Sequence, residues 1–317
     1  MKRSLDAWVL ERRGAKRVLD PNRAYASVWE EEADGRGGVV PTAVVFITNR
    51  ECPFRCVMCD LWVETLDATV PRGAVPGQIR RALQAMPPAR AVKLYNAGSY
   101  FDPRAVPSAD DDDVAHEVGG YERVIVESHP AFLDGVHAAR CLAFRDRLSG
   151  ALEVAVGLET AQPDALARLN KHMTLDDFRR ASGFLVGHGI ALRVFILLNP
   201  PFLPADQSLE WACRSIDMAA ASGARVCTVI PVRGGNGAMD ALEPPPAPAR
   251  LSDLEQAVEH GLSLRGPIVQ ADLWNVERWV QCSCDEARVR RLAVMNREQR
   301  VPAPIAGACD HTRGSLE

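Results

Sequence analysis

No stretch of this sequence approaches the ~18 uninterrupted apolar residues of a membrane helix. No apolar run follows the basic residues at its start, so a secretory leader is not expected and the chain reads as cytoplasmic. A large charge of either sign is also missing. The formal net charge is −4, which excludes a protein that traps nucleic acid by bulk electrostatics. No short-period repeat is evident. The nine cysteines are odd in number and clustered, which in a reducing compartment argues against a disulfide framework and for metal or catalytic chemistry.

What is present is an ordinary soluble-enzyme composition, 47% apolar and 25% charged over 317 residues, enough for one large α/β unit with appendages. The first 23 residues are locally basic (Lys2, Arg3, Arg12, Arg13, Lys16, Arg17 and Arg23), which reads as a solvated helix or a patch for an anionic partner. Short apolar runs then alternate with helical patterns. Strands are expected at 43–48, 91–95, 123–128, 152–159, 191–198, 224–230 and 268–274. Helices are expected near Pro76–Met86, 131–148, 207–221 and 252–264, with another opening at Thr174. Thr174 with Asp177 is the weaker capping box; Ser252 with Glu255 is the better one.

Strands that are apolar on both faces belong to a parallel sheet covered by helices. Six or seven βα repeats leave an open doubly wound sheet or a full or partial (β/α) barrel. In either, reactive groups lie beyond the carboxyl ends of the strands. Six polar or Gly/Pro-rich segments fall there: the cysteine loop, "NAGSYF", "ESHP", "GLET", "NPPF" and "PVRGGNG".

In "NRECPFRCVMCDLW", Cys52, Cys56 and Cys59 have the spacing C-x3-C-x2-C on one loop, with no fourth cysteine or histidine nearby. Structural zinc usually takes four ligands. Three thiolates can hold three irons of a [4Fe–4S] cluster and leave the fourth open for a small molecule. The triplet after a first β strand resembles the signature of the radical S-adenosylmethionine (SAM) enzymes, over roughly 42–232. The resemblance implies a (β/α)6-type partial TIM barrel, a cluster on the three cysteines, and SAM chelated to the open iron. It implies reductive cleavage to a 5′-deoxyadenosyl radical that takes hydrogen from substrate, and an electron donor such as flavodoxin or ferredoxin. Met58, where the family commonly has an aromatic residue, would lie by the adenine.

Further motifs carry the resemblance onto other residues. Asn96, Gly98 and Ser99 stand where the family has a Gly-Gly-Glu-like turn that meets the methionine amino group. Glu127 and His129 lie in "VESHP", similar to the "E-[ST]-R-P" of the branch containing the Elongator catalytic subunit and the archaeosine-forming lyase. Glu159 and Lys171, in "GLET" and "LARLNKHMT", occupy places that anchor SAM in the methylthiotransferases; the plain alternative is a surface ion pair. Arg193 is a charge in an apolar strand, either reaching out of it or facing the barrel mouth as a carboxylate binder. Arg233 is a candidate for an anionic substrate group.

Near the C-terminus, Cys282, Cys284, Cys309 and His311 offer four ligands for a second iron–sulfur cluster or a zinc. Cys141, Cys213 and Cys227 lack ligand spacing and read as packing residues. The expected organisation is a helical basic extension (1–40), a partial-barrel core (41–235) and a capping extension (236–317). The expected function is a radical SAM enzyme acting on a tRNA, a nucleoside or a small biosynthetic molecule. The alternative is a non-catalytic iron–sulfur or zinc-binding protein.

Overall fold

The structure is a computed structural model that describes residues 4–305. It opens with a short helix α1 (Leu5–Leu10) and the strands β1 (Ala26–Ala33) and β2 (Val39–Ile47). Next come α2 (Ala74–Gln84), β3 (Ala91–Asn96), α3 (Asp111–Glu117), β4 (Arg123–Glu127) and α4 (Gly135–Arg147). The chain continues through β5 (Ala151–Glu159), α5 (Pro163–Arg168), α6 (Leu175–Gly187), β6 (Ala191–Leu198), α7 (Ser208–Ala221) and β7 (Ala224–Pro231). It ends with α8 (Leu251–Ser263), β8 (Ile268–Ala271) and α9 (Ser283–Glu298).

The eight strands form one sheet in chain order. Strands β2 to β8 are parallel, and β1 lies antiparallel on β2. Helices cover the outer face and the sheet curls into a partial barrel, as expected. Val, Leu and Ile side chains of the strands form the main core with Ile79, Phe144, Phe178, Leu185 and Ile216 of the helices.

Two expectations are corrected. The better capping box does not form: α8 begins one residue earlier, at Leu251, and Glu255 instead takes Arg288 and Arg291 of α9 at 2.8 and 2.9 Å. Its carboxylate is better satisfied by two guanidiniums than by one amide. The weaker box, Thr174 with Asp177, forms in both directions. The basic N-terminal segment is not simply solvated. Val9 packs with Val57, Ala238 and Met239, and Arg13 and Lys16 reach Glu51 at 2.5 and 2.6 Å. Strand β1 was not foreseen, because "ASVWEEEA" carries three glutamates where a strand core wants apolar residues.

Two of those glutamates, Glu30 and Glu32, face a barrel interior that is not wholly apolar. Glu32 accepts both terminal guanidinium nitrogens of Arg193 at 2.8 Å, and Lys93 donates to Glu30 and Glu32 at 2.5 Å. Gln270 of β8 also reaches Glu32, at 3.2 Å, so one carboxylate links the first and last strands. Glu153, fully buried, accepts from Arg193 at 2.7 Å and Arg225 at 3.0 Å, and Arg123 lies 3.8 Å away. Burial alone would raise the Glu32 carboxyl, but Arg193 and Lys93 outweigh it and hold it well below the usual range. Removing one member of such a network strands the others. Glu153→Ala is therefore expected to cost about 3–5 kcal/mol in urea unfolding. A loss below about 1 kcal/mol would show that solvent compensates the guanidiniums.

Candidate active site

The segment after β2 carries the three cysteines and has no regular structure beyond a short 3-10 turn at Leu61–Glu64. It holds its shape through bonds to distant parts of the chain. Its ends pair, Leu66 N–H to Asn49 carbonyl and Glu51 N–H to Leu66 carbonyl, both at 2.9 Å. Glu51 gathers Arg13, Lys16 and Arg55, which together outweigh its burial and lower its pKa. Val57 N–H donates to the Leu169 carbonyl, and the Asn170 amide to the Arg55 carbonyl at 2.8 Å. From the loop after β7, the Asn236 amide donates to the carbonyls of Val57 and Cys59 at 2.9 and 3.1 Å. Gly237 makes that approach possible: its φ is +76° and a Cβ would strike the Arg12 carbonyl. Asn236 was missed at the sequence level; "PVRGGNG" signals a loop but not what its amide holds.

The cysteines open on a cavity of about 490 Å³ beyond the carboxyl ends of the strands. Met58, Gly98, Glu127, Glu159, Lys171 and Arg193 line it with them. Asn96 and Ser99 are buried just behind, and the Ser99 hydroxyl accepts the His129 N–H at 2.9 Å. Gly98 has φ +157° and its α-carbon faces Cys52, where a Cβ would sit 3.4 Å from the cysteine Cβ. Glu159 and Lys171 do pair with each other, but as a buried ion pair and not on the surface. The pair lies directly over Gly157, where any Cβ would collide with both charged ends. The register shifts at Gly157/Glu159, and Glu159, Asn170 and His172 all have left-handed backbones, with φ of +65°, +58° and +55°. Such strain persists only where the surroundings impose it.

His129 acts as a clasp. The Ala131 N–H donates to its Nδ1 at 3.1 Å, which leaves Nε2–H to donate to the Lys171 carbonyl at 2.9 Å. Phe54 of the cysteine loop stacks on the ring with centroids 4.0 Å apart. Burial, then the Lys171 charge, push the imidazole down to about 3, so it stays neutral.

Burial also raises all three thiols, Cys59 to about 12, with the neighbouring cysteines adding to the rise at Cys56 and Cys59. Thiols of this kind ionise only when a cation replaces the proton. The Phe54 N–H bonds the Cys52 sulfur and the Leu61 N–H that of Cys59, donors that suit metal-bound thiolates. The donor set therefore fits a metal cluster. Among the described residues, no three His, Cys, Asp or Glu side chains converge closely enough to grip a single ion.

Two arginines lie at the margins of the cavity, and the other expected residues lie away from it. Arg193 sits deeper, its Nε and both terminal nitrogens bonded to Glu153 and Glu32. Arg233 pairs with Asp272 at 2.7 Å at the cavity rim. Cys282 and Cys284 flank the start of α9, with the Cys282 sulfur 3.4 Å from Asp285. Cys309 and His311 lie outside the described residues. Cys141 and Cys227 are buried and Cys213 is half-buried. No described helix is long and apolar enough to cross a membrane.

No family model matches the sequence. Over 229 residues the chain is 28% identical to the archaeosine synthase subunit beta of Methanosarcina acetivorans, covering 68% of this chain and 65% of that protein. It is 26% identical to the archaeosine synthase subunit beta of Thermococcus kodakarensis over 170 residues, 51% of each chain. The chain thus spans between about half and 65% of the curated relatives it matches. Among solved structures, methylornithine synthase (PylB) superposes with a TM-score of 0.53 at 14% identity, covering 89% of this chain and 84% of that one. A partial barrel of parallel strands is thus the class to which this molecule belongs. More particularly, its fold is similar to that of methylornithine synthase.

Glu127 supplies a test of the cavity's electrostatics. Burial pushes its carboxyl from 4.5 up to about 8, against the pull of Lys171 and the Asn96 N–H. A carboxyl raised in the folded state favours folding at acid pH and loses that advantage as pH climbs from its ordinary value to the raised one. In the metal-free protein, Glu127→Gln should therefore gain stability over the parent between about pH 5 and about pH 8, with a ceiling of roughly 1.4 kcal/mol per pH unit crossed. Chemical unfolding at the two pH values reads the difference. A difference that does not change with pH would show that the carboxyl is solvated.

Proposed function

We propose that this chain is a radical SAM enzyme whose Cys52, Cys56 and Cys59 hold a [4Fe–4S] cluster beside a SAM-binding cavity. When bound, such a cluster would supply one electron for cleavage of the SAM sulfonium to methionine and a 5′-deoxyadenosyl radical, which would take hydrogen from substrate. One observation carries the reading: the three cysteines and the buried Glu159–Lys171 pair line a single cavity at the carboxyl ends of the barrel strands.

The chain's own groups have clear tasks in that reading. Lys171 offers an ammonium to the SAM carboxylate, and Glu159 a carboxylate to its amino group or ribose hydroxyls. The two satisfy each other until ligand takes both. Gly157 beneath them leaves room for that exchange. Glu127, neutral near pH 7, presents a hydrogen-bond donor and acceptor without a charge. Asn236, Asn170 and Glu51 keep the loop carrying the cysteines fixed.

The names of the relatives direct the substrate to a nucleoside, free or within tRNA, and direct the chain to work with a partner subunit. The cavity volume is that of a small-molecule site. It suits a single nucleoside or a base turned out of its strand, not a duplex. A net charge of −4 gives no surplus to hold RNA unaided, which accords with a partner supplying that grip. A flavodoxin or ferredoxin is the electron donor in this scheme.

After anaerobic reconstitution with iron and sulfide, dithionite and SAM should yield 5′-deoxyadenosine, and Cys56→Ala should fall to the enzyme-free background. Equal yields from variant and parent would sink the proposal, as would a colourless protein holding only zinc. Gly157→Ala should keep the cluster's absorbance while raising the KM for SAM about tenfold or more, because the added methyl drives Glu159 and Lys171 from their places. An unchanged KM would remove that pair from the SAM site.

A further inference from the structure

A second cavity, of about 410 Å³, opens at the other end of the barrel, among the amino ends of β3, β4, β7 and β8 and the β1–β2 turn. Arg123 opens β4 and Arg225 follows the first residue of β7. Both side chains reach Glu153, and both remain 29% exposed, so they face the cavity as well as the interior.

The charges here do not balance. The buried network sets Lys93, Arg193, Arg123 and Arg225 against Glu30, Glu32 and Glu153, four cations to three carboxylates. The other charges lining the cavity cancel in pairs. Arg90 donates to Glu122 through two bonds of 2.7 Å. Asp34, which accepts the Arg36 backbone N–H at 2.6 Å, offsets the Arg36 charge with no side-chain bond between the two among the described residues. The surplus therefore falls on Arg123 and Arg225, which share a carboxylate that Arg193 already occupies. Burial, then the Arg225 charge, hold the Arg123 guanidinium below its usual range, as expected where cations crowd without enough anions.

We propose that this cavity binds a phosphoryl group, gripped by Arg123 and Arg225 with Arg36 closing over it from the turn. Guanidinium forks match phosphate oxygens in pairs. Two forks from separate strands and a third arginine offer more donors than the two oxygens of a carboxylate can accept; a phosphoryl group accepts them. This site is independent of the proposed SAM chemistry, and it stands or falls without it. The phosphoryl group could come from a free phosphate or nucleotide, or from a polynucleotide backbone.

Thermal unfolding of the full-length chain tests the site in inorganic phosphate against chloride of equal ionic strength. Phosphate should raise the melting temperature, and the apparent affinity should fall about ten- to a hundredfold in Arg225→Gln. Arg36→Ser, in the exposed turn and outside the buried network, should weaken the response in the same direction and decides the matter if Arg225→Gln fails to fold. Adenosine 5′-monophosphate and a short single-stranded RNA without terminal phosphates then separate the sources. A response to the monophosphate assigns a small phosphate ester, and competition by the RNA assigns a backbone. No phosphate effect on the parent, or an equal effect on parent and Arg36→Ser, would overturn the proposal.

Discussion

A barrel must fill its own interior, and in this chain the lower half is filled with charge. Glu32 and Glu153 sit among Arg193, Lys93, Arg225 and Arg123, and through Gln270 the network reaches from the first strand to the last. Apolar side chains of similar size would pack at least as stably, since desolvating ions costs several kcal/mol each. What the charges add is registry. Arg193 on β6 can satisfy its nitrogens only when β1 lies antiparallel on β2 and brings Glu32 over the barrel. The network is thus a floor: it closes the barrel from below and leaves the volume above it open.

Everything catalytic in the proposed reading stands on that floor. The loop carrying the cysteines has almost no regular structure of its own. It is fixed by the N-terminal segment through Glu51, by the turn after α5 through Asn170 and Leu169, and by the loop after β7 through Asn236. Those three supports come from well-separated segments, around residues 13, 170 and 236, and meet only because the strands between them are in order. A site assembled this way couples the placement of the three cysteines to the whole barrel, so that in the proposed reading the chemistry depends on correct folding.

Much of this was legible in the sequence. Seven of the eight strands are apolar runs between helical patterns, so hydrophobic periodicity finds them, and the position of each motif after a strand places it at one end of the barrel. The triplet of cysteines is local, and so are "GLET" and "LNKH". The eighth strand was not legible because β1 is written with glutamates, whose partners lie on β3, β6 and β8. Arg193 shows the same limit. As a lone charge in a strand it invited two readings, into solvent or into the mouth; it turns inward to the base of the cavity, where Glu32 and Glu153 take its nitrogens. Asn236 and Glu255 are further cases: an amide in a glycine-rich loop and a glutamate near a helix start look like ordinary local chemistry until the distant donor or acceptor is in place. Long-range polar pairing leaves no periodic trace, which is why the hydrophobic frame was readable and the wiring was not.

The cavity contains two kinds of cation, and their difference bears on what each can do. Arg193 has a rigid planar fork with Nε and both terminal nitrogens bonded to two carboxylates, so releasing it would break several charge-assisted bonds together. Lys171 makes one ion pair, on a flexible stem, from a turn whose flanking residues Asn170 and His172 are held in left-handed conformations. Its carbonyl is pinned by His129 while its ammonium, among the described residues, is held by Glu159. The backbone of that turn is therefore fixed and the charge at its tip is exchangeable. A ligand bearing both an amine and a carboxylate can replace the pair without leaving either residue unpartnered, whereas the same ligand could displace Arg193 only by exposing Glu32 and Glu153 to one another's charge. Stability assigns Arg193 to the floor, and exchangeability makes Glu159 and Lys171 the groups to which a zwitterionic ligand would bind.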